Sequence, residues 1–451
     1  MKRMKVDSIV IGSGQGGVPL AADLAKEGQD VVIFERGLWG GCCLNYGCTP
    51  SKMLLASAHA ASRAKNAGEL GIQADVRVDF PAVMKRINQT TTSWSESTET
   101  RLNDAGVETI HKEAFFVGTR SVSDGEDIFE AEKIIINTGK SPFIPPIEGV
   151  ENSPYLTYET IWQLKELPKR LIIVGGGYVG CELGQAFANL GSQVHLIHSH
   201  PLPLSREAVD VGSLIKEQLE SDGVRFYLEN RAEAVDYANG RFAVSLGDGE
   251  TVEGDSLLIA TGRKPNTASL KAEAGAINLD EKGHITVDKH LKTSADGVYA
   301  MGDVTGQPAF THVSWEDYRR LKAILHGEDR TQMDRVLGYS IFTRPQIGRA
   351  GLSLSQAREQ GYDAEQVELP LKQVARATEV GFTRGFYQMV IDKATDKILG
   401  ATLASPSAGE LIHVFIAHME AGSTWQVLNR SVHIHPTFAE GLPSLARQLE
   451  E

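Results

Sequence analysis

Cysteine is scarce in this sequence. Four cysteines occur among 451 residues, too few to build a disulfide framework for a chain of this length. No second pair of Cys or His residues follows the cysteine-rich segment at the spacing of a zinc site, so no metal site is predicted. Clustered cysteines in a reducing compartment are more often catalytic than structural. The sequence therefore argues against a disulfide-rich secreted protein and predicts a cytoplasmic location.

Long apolar runs and an excess of basic residues are also missing. No stretch approaches the roughly 18 apolar residues that span a bilayer. Residues 1–14 lack the apolar segment of a secretory signal. Lys and Arg total 45 against 58 Asp and Glu, giving a net charge of −13, so no basic stripe is available for nucleic acid. We therefore expect neither a membrane nor a nucleic-acid partner.

A dinucleotide-binding pattern opens the chain, within residues 7–36. Gly12, Gly14 and Gly17 form G-x-G-x-x-G between a short apolar run and an Ala/Leu-rich segment of helical character. A second apolar run follows and ends at Glu35, where a carboxylate can accept hydrogen bonds from an adenosine ribose. The spacing predicts a strand, a tight turn, a helix whose N-terminus faces the pyrophosphate, and a second strand.

The same pattern recurs at Gly175, Gly177 and Gly180, again after an apolar run and before a helical segment. Two such units predict two bound dinucleotides, with electron transfer between them as the obvious use. An unliganded glycine-rich turn is the alternative for the second unit. The position equivalent to Glu35 is His198, so this unit lacks the acid that would favour a free 2′-hydroxyl.

The residues after the second strand bear on the choice between NADH and NADPH. His198, Ser199 and His200 could hydrogen-bond a 2′-phosphate, with Arg206 as the nearest arginine. Gly180 instead favours NADH, because NADPH sites often have Ala at this position. These residues slightly favour NADPH, and exposed histidines without a binding role are the alternative.

Three of the four cysteines lie in GGCCLNYGCTPSK, residues 40–52. Thr49 and Pro50 are typical of a helix N-cap and first turn, which would place Cys48 just before a helix N-terminus whose field favours a thiolate. Cys43 lies five residues earlier. We interpret the two as a redox-active pair, with a metal site or an inert pair as the alternatives.

This segment resembles the redox motif of the class I pyridine nucleotide–disulfide oxidoreductases, the family of glutathione reductase, dihydrolipoamide dehydrogenase and mercuric reductase. The one departure is Cys42, where the family usually has a Thr that contacts FAD. Further segments resemble the family's other motifs in the same order: IIINTG (134–139), LLIATGRKPN (257–266), GVYAMGDVTG (297–306) and HIHPTFAEGLP (433–443). Within the family the chain is most similar to the mercuric-reductase-like and dihydrolipoamide-dehydrogenase-like branch, which is related to a flavoprotein of reactive-chlorine resistance.

The resemblance implies roles around the flavin. Cys43 would be the interchange thiol that attacks substrate, and Cys48 the charge-transfer thiol. Lys52 would lie near the flavin and pair with Glu182. Tyr178 would cover the flavin until nicotinamide displaces it.

The resemblance also implies that His435 is the acid/base of thiol exchange and that Glu440 holds its ring. The implied FAD-binding positions are Gly12, Gly14, Gly17, Glu35, Gly41, Cys42, Lys52, Ala114, Thr138, Gly139, Asp303, Ala309, Thr311 and His312. The implied NAD(P)H-binding positions are Gly175, Gly177, Tyr178, Val179, Gly180, Glu182, His198, Ser199, His200, Arg206, Ala232 and Gly262.

The predicted fold is α/β, with two Rossmann-like dinucleotide-binding domains and a C-terminal α+β dimerisation domain. The predicted domains are 1–147 for FAD, 148–266 for NAD(P), 267–335 as a central domain completing the FAD site, and 336–451 as the interface domain. The resemblance implies a homodimer in which His435 reaches the partner's dithiol, so that each active site needs two chains.

The predicted function is an FAD-dependent NAD(P)H:disulfide oxidoreductase, dihydrolipoamide-dehydrogenase-like, acting on a small disulfide or a lipoyl group. One alternative is a reductase of another oxidised thiol or reactive species, such as glutathione disulfide, hypothiocyanite or a metal ion. Another is an E3-type component whose docking to a lipoyl complex matters as much as turnover.

Overall fold

The first glycine motif and the cysteine segment lie in the N-terminal part of a computed structural model that describes residues 1–333 and 335–450. The strands here are β1 (Arg3–Ile11), β2 (Val31–Phe34), β3 (Glu108–Ile110), β4 (Phe115–Gly118), β5 (Ser121–Ser123), β6 (Ile128–Ile136) and β7 (Lys140–Pro142). The helices are α1 (Gly17–Lys26), α2 (Gly41–Asn45), α3 (Cys48–Lys65) and α4 (Phe80–Asp104).

The second glycine motif opens the middle part of the chain. Its strands are β8 (Arg170–Val174), β9 (Gln193–Ile197), β10 (Val224–Tyr227), β11 (Ala232–Ala238), β12 (Arg241–Leu246), β13 (Thr251–Gly254), β14 (Ser256–Ile259), β15 (Arg263–Pro265) and β16 (Val298–Ala300). Its helices are α5 (Tyr178–Leu190), α6 (Val209–Ser221) and α7 (Thr311–Leu325).

The C-terminal part alternates strands and short helices. The strands are β17 (Gly338–Ile341), β18 (Gln346–Gly351), β19 (Ala364–Pro370), β20 (Phe386–Asp392) and β21 (Ile398–Ser405). The helices are α8 (Leu354–Glu359), α9 (Ala375–Glu379), α10 (Ala408–Glu420), α11 (Trp425–Arg430) and α12 (Gly441–Arg447). Along the chain there are 3₁₀ turns at Ala67–Leu70, Val150–Asn152, Ile161–Gln163, Ala268–Leu270, Ala272–Gly275, Gly302–Thr305 and Leu371–Gln373.

The first sheet has the order β3-β2-β1-β6-β5-β4, and β16 pairs with the far end of β6. β1, β2, β3, β6 and β16 run parallel, with Ile11 opposite Ile136 and Ile136 opposite Ala300. The chain thus returns to its first sheet after some 160 residues elsewhere. Because the carboxyl ends of these parallel strands meet at one edge, the first glycine motif, Glu35 and Asp303 surround the same crevice.

The second sheet has the order β10-β9-β8-β14 and is parallel throughout. Its carboxyl edge carries the second glycine motif after β8 and His198 after β9. An antiparallel meander of β11, β12 and β13 covers this unit, and β7 pairs with β15 where the chain crosses between the two units.

α3 joins the two parallel units. Its N-cap is Gly47, two residues earlier than the N-cap expected at Thr49, because the N–H of Ser51 already bonds the carbonyl of Gly47 (3.1 Å). Cys48 is therefore the first helical residue and lies within the N-terminal field of the helix. Buried residues of α3 such as Leu54 share one core with Phe187 of α5, the helix that follows the second glycine motif.

The C-terminal sheet is antiparallel, in the order β17-β18-β21-β20-β19, and α10 packs on it through Ile412 and Phe415. Its β17–β18 turn also contacts α5, where the N–H of Phe342 donates to Glu182 (2.8 Å). The predicted fold class, two Rossmann-like units and a C-terminal α+β domain, is confirmed. Of the helices in residues 1–333 and 335–450, none is long and apolar enough to cross a membrane.

Candidate active site

A cavity of about 450 Å³ runs from the first glycine motif to the cysteine segment. Cofactor sites in proteins typically occupy roughly 300–1,000 Å³. Residues from the predicted FAD set that line the cavity are Gly12, Gly14, Glu35, Gly41, Cys42, Lys52, Ala114, Thr138, Gly139, Asp303, Ala309 and Thr311. Gly17 lies behind this wall and starts α1. His312 is turned away, with Nε2 bonded to the carbonyl of Gly338 (2.6 Å).

The cysteine pair lies in the wall of this cavity. Sγ of Cys48 is 3.2 Å from the hydroxyl of Thr311. A hydrogen bond from the Cys43 thiol, another from Thr311 and the charge of Lys52 lower the pKa of Cys48 to about 6, while proton sharing with Cys48 raises that of Cys43. Near neutral pH the reduced pair therefore carries a thiolate at Cys48 and a thiol at Cys43.

Cys43 also lines a second space. A groove of about 730 Å³ lies on the other side of the cysteine segment, and it includes Cys43 but not Cys48. Two exposed tryptophans, Trp94 (52% exposed) and Trp315 (46% exposed), form part of its wall. The two sulfur atoms thus have different surroundings: of these two spaces, Cys48 lines the cavity alone, whereas Cys43 lines both.

The predicted pairing of Lys52 with Glu182 is present in the geometry. Nζ of Lys52 lies 2.7 Å from Oε2 of Glu182, whose side chain is only 8% exposed. The other carboxylate oxygen accepts from the N–H of Phe342, and the Lys52 ammonium lies 4.6 Å from the centre of the Phe342 ring. The lysine is thereby held at the inner end of the cavity by one carboxylate and one aromatic face.

Cys42, the departure from the family motif, has a specific partner. A guanidinium nitrogen of Arg263 lies 3.1 Å from its sulfur, and another lies 2.9 Å from Asp303. Burial raises the pKa of Cys42 to about 11, so this sulfur keeps its proton at neutral pH. The thiol therefore differs chemically from the neighbouring pair.

The second glycine motif forms a tight turn at the N-terminus of α5. A side chain at Gly180 would bring a Cβ to 1.9 Å from the carbonyl oxygen of Gly175, whereas Gly177 has open space around it. Val179 and Glu182, one residue and one turn into α5, reach the first cavity. Tyr178 does not line that cavity, and its hydroxyl donates to Glu207 (2.5 Å).

The other predicted nucleotide residues surround the carboxyl edge of the second sheet. Nδ1 of His198 accepts from the N–H of Gly176 (3.1 Å), and burial together with His200 lowers its pKa, so the ring is neutral at neutral pH. Ser199, His200 and Arg206 are exposed. Ala232 begins β11, and Gly262 follows β14 just before β15.

The His435–Glu440 pair lies far along the chain and is directed outward. Nδ1 of His435 is 2.6 Å from Oε2 of Glu440, and the His435 side chain is 72% exposed. Among the described residues, neither belongs to the walls of the cavity or of the groove. Within one chain, then, this pair and the cysteine pair are not brought together.

Comparison with known proteins follows the same division of the chain. Residues 6–317 match the family model for pyridine nucleotide-disulphide oxidoreductases, and residues 338–446 match the model for the dimerisation domain of that family. The chain belongs to the pyridine nucleotide-disulphide oxidoreductases.

Relatives of this family agree over the full length. The probable pyridine nucleotide-disulfide oxidoreductase RclA of Escherichia coli is 35% identical, over 98% of both chains. A mercuric reductase of Bacillus cereus is 33% identical, covering 97% of this chain and 70% of its own. A solved structure, the Cu(II) complex of the HOCl-induced flavoprotein disulfide reductase RclA from E. coli, superposes with a TM-score of 0.90 at 34% identity, covering 99% of both chains.

The oxidoreductase is thus an FAD-dependent enzyme that takes electrons from NAD(P)H and acts on a sulfur group, as predicted. Its residues fit FAD. Gly12 has φ +100°, and a Cβ there would lie 2.5 Å from the carbonyl oxygen of Asn137, so only glycine permits the tight turn that leads from β1 to the phosphate-binding N-terminus of α1. The hydroxyl of Thr138, in the cavity wall, is buried without a hydrogen-bond partner among the described residues, as expected for a group that faces a polar cofactor.

Asn137 of this oxidoreductase is a structural residue of the site that was not predicted from the sequence. Its side-chain oxygen accepts from the N–H of Gly17 (3.0 Å), and its amide donates to the carbonyl of Met301 (2.9 Å). It therefore ties the start of α1 to the segment that carries Asp303. The role of Arg263 was not predicted either, although Asn137 lies in the IIINTG motif and Arg263 in the LLIATGRKPN motif. A buried polar residue directly after a strand, as in IIIN, was the available signal for Asn137.

No group of three or more His, Cys, Asp or Glu side chains within residues 1–333 and 335–450 is arranged to hold a metal ion. Two exposed ion pairs of histidines involve one carboxylate each: His284 bonds Asp280, and His290 bonds Asp329.

Proposed function

We propose that this enzyme passes electrons from NAD(P)H to the Cys43–Cys48 pair and from there to a disulfide-type substrate in the groove beside Cys43. Bound FAD supplies the two-electron carrier between the nicotinamide and the pair. The observation that supports the proposal is the difference between the surroundings of the two sulfur atoms. Of the two spaces, Cys48, with its lowered pKa, lines the cofactor cavity alone, whereas Cys43 lines both that cavity and the groove.

The surroundings of each sulfur support the direction of exchange. The thiolate at Cys48 is stabilised by Thr311 and Lys52 and is suited to remain against the cofactor. The Cys43 thiol must lose its proton before attacking a substrate sulfur, since the thiolate is the nucleophile. Attack forms a mixed disulfide at Cys43 and releases one thiol, and Cys48 then resolves it, releasing the second thiol and regenerating the Cys43–Cys48 disulfide.

We further propose that His435, held by Glu440, is the acid/base for this exchange. Its ring is largely exposed and lies outside both spaces within one chain. Because residues 338–446 form a dimerisation domain, we place His435 of one chain beside Cys43 of a second copy. The enzyme is then a homodimer with two shared active sites. A reducing cytoplasm suits a catalytic dithiol that must return to the reduced form.

The substitution Cys48→Ser tests the proposal. The variant should keep its FAD and should still reduce quinone-like dyes with NAD(P)H, because dye reduction needs no dithiol. Reduction of lipoamide, glutathione disulfide or coenzyme A disulfide should be abolished. Cys181→Ser is the matched control, since this buried thiol on α5 lines neither the cavity nor the groove and its replacement should leave disulfide turnover unchanged. Disulfide turnover by Cys48→Ser near the wild-type rate would refute the assignment.

For the nucleotide, we propose a preference for NADPH, with Arg206 and His200 as the groups nearest a 2′-phosphate and His198 as a neutral hydrogen-bonding ring. The absence of a carboxylate after β9 supports this. His198→Glu should add repulsion against the phosphate and shift the preference toward NADH by about 1–3 kcal/mol. The measurement is kcat/KM for both nucleotides. A wild-type preference for NADH, unaltered in the variant, would mean that these side chains do not read the 2′ position.

Copper is a second candidate acceptor, favoured by the related structure that holds Cu(II). The chemistry would be reduction of two Cu(II) ions to Cu(I) by the reduced pair, one electron to each ion. The pair would return to the Cys43–Cys48 disulfide with release of the Cys43 proton, and Cys43 is the sulfur that lines the groove. NAD(P)H-driven formation of Cu(I), followed with a Cu(I)-specific chelator, should occur in the wild type and be lost in Cys43→Ser. Equal rates in both proteins would remove copper from consideration.

A further inference from the structure

Glu207 lies at the centre of a buried polar cluster between the second dinucleotide unit and the C-terminal sheet. Its side chain is 1% exposed and is paired with Arg349 of β18 at 3.0 Å. The hydroxyl of Tyr339, on β17, is within 2.9 and 3.0 Å of the two carboxylate oxygens. The third partner is Tyr178, whose hydroxyl lies 2.5 Å from Oε1. Neither the sequence motifs nor the assigned chemistry accounts for this carboxylate.

The Tyr178 ring is also held by its neighbours. It stacks on Phe310 (6.3 Å between ring centres) and on Tyr339 (6.0 Å). Burial raises the pKa of Tyr178, so its hydroxyl keeps its proton and donates to the carboxylate. Although Tyr178 is the first residue of α5 and its neighbour Val179 lines the 450 Å³ cavity, Tyr178 itself lies outside that cavity.

We propose that Glu207 is a positioning residue that holds the Tyr178 ring aside from the cofactor cavity and so keeps the path of the nicotinamide open. Two partners from the C-terminal sheet keep the carboxylate satisfied whether or not Tyr178 is bonded to it. Movement of the ring across the cavity mouth therefore costs one hydrogen bond and leaves no buried charge unpaired. The inference rests on the proposed role of NAD(P)H as electron donor at this site.

The test begins with Tyr178→Phe, which removes the hydroxyl but keeps the aromatic ring. Without the hydrogen bond to Glu207 the ring is free to compete with the nicotinamide. KM for NADPH should rise roughly ten-fold in dye reduction, with kcat at saturation within about two-fold of wild type. A residue with a merely structural role would not separate KM from kcat in this way. Tyr339→Phe is the matched control, because it removes a hydroxyl from the same carboxylate without freeing Tyr178, and its KM should stay at the wild-type value.

Glu207→Gln should raise KM as Tyr178→Phe does, and the double variant should raise it no further than the larger single effect, since both act through one hydrogen bond. If Glu207→Gln fails to fold because Arg349 loses its counter-ion, the comparison of Tyr178→Phe with Tyr339→Phe decides alone. An unchanged or lowered KM in Tyr178→Phe, or additive effects in the double variant, would overturn the inference. Failure of the wild type to reduce dye with either nucleotide would instead refute the proposed function.

Discussion

At the scale of single residues, the chemistry depends on how one sulfur is surrounded. Cys48 has a thiol neighbour, a hydroxyl at 3.2 Å and a lysine whose charge reaches it. Each of these stabilises the thiolate, and together they outweigh the burial that would favour the neutral thiol. Cys42, one residue before Cys43, has a raised pKa because burial dominates there. Sequence proximity alone does not set thiol reactivity; the balance between burial and the surrounding hydrogen bonds and charges does.

Thr311→Val should therefore raise the pKa of Cys48 from about 6. The thiolate is present above this pKa and is lost as pH falls through it, so its long-wavelength absorbance in the two-electron-reduced enzyme should titrate at higher pH in the variant. A shift of about one pH unit is expected for loss of a charge-assisted hydrogen bond.

Ser51→Ala is the control for this titration. Its hydroxyl also lies beside Cys48 but donates to the Cys48 carbonyl oxygen (3.2 Å) and not to the sulfur. The titration midpoint of Ser51→Ala should match wild type. Superimposed curves for wild type and Thr311→Val would show that the hydroxyl does not stabilise the thiolate.

At the scale of elements, two glycines of the second motif differ in whether they tolerate a side chain. Gly180→Ala places a methyl group against the backbone of Gly175, which must shift, whereas Gly177→Ala meets open space in the chain itself. Gly180→Ala should lower the melting temperature and weaken nucleotide binding. Gly177→Ala should keep the wild-type melting temperature and raise KM for NADPH, since its methyl group obstructs only the approach of the pyrophosphate.

Thermal unfolding with FAD fluorescence, together with KM values for both variants, checks this prediction. Both variants should retain FAD, because the first glycine motif is untouched. A Gly180→Ala protein with unaltered melting temperature and KM would mean that the turn adjusts freely and that the close approach carries no functional weight.

Local sequence patterns predicted the helices and strands well. They did not predict which residues distant in the sequence contact each other. The helix α1 follows from an Ala/Leu-rich segment after a glycine turn, and the strand Val31–Phe34 follows from a short run of apolar residues. Both signals lie within a few adjacent residues. The start of α3 was displaced by two residues because the Gly47 carbonyl, and not the Thr49 side chain, begins the helix.

The rest of the site could not be predicted because it is assembled from distant segments. Arg263 contacts Cys42 across 221 residues, and Tyr339 contacts Glu207 across 132. Nothing in the sequence near either residue indicates its partner. The exception is the Lys52–Glu182 pair, separated by 130 residues, which the family resemblance alone supplied.

At the scale of the whole molecule, the account requires two chains for each active site. Coexpression of Cys43→Ser and His435→Ala chains should restore activity, although each variant alone is inactive or strongly impaired. In a mixed dimer, one site combines the intact cysteine pair of one chain with the intact histidine of the other. Random pairing should recover about one quarter of wild-type disulfide turnover.

The control is coexpression of Cys43→Ser with Cys48→Ser, in which no arrangement provides an intact pair. If His435 acted within its own chain, mixed dimers of Cys43→Ser and His435→Ala would contain no complete site. Turnover at the level of the single variants would then contradict the shared site.

The central claim is that electrons from NAD(P)H come to rest on the Cys43–Cys48 pair. Anaerobic titration of the enzyme with NADPH, and in parallel with NADH, tests it most directly. After one equivalent, the account predicts a long-wavelength charge-transfer band from the Cys48 thiolate, absent from the Cys48→Ser variant. Direct bleaching of the flavin by the wild type, without that band, would contradict the account.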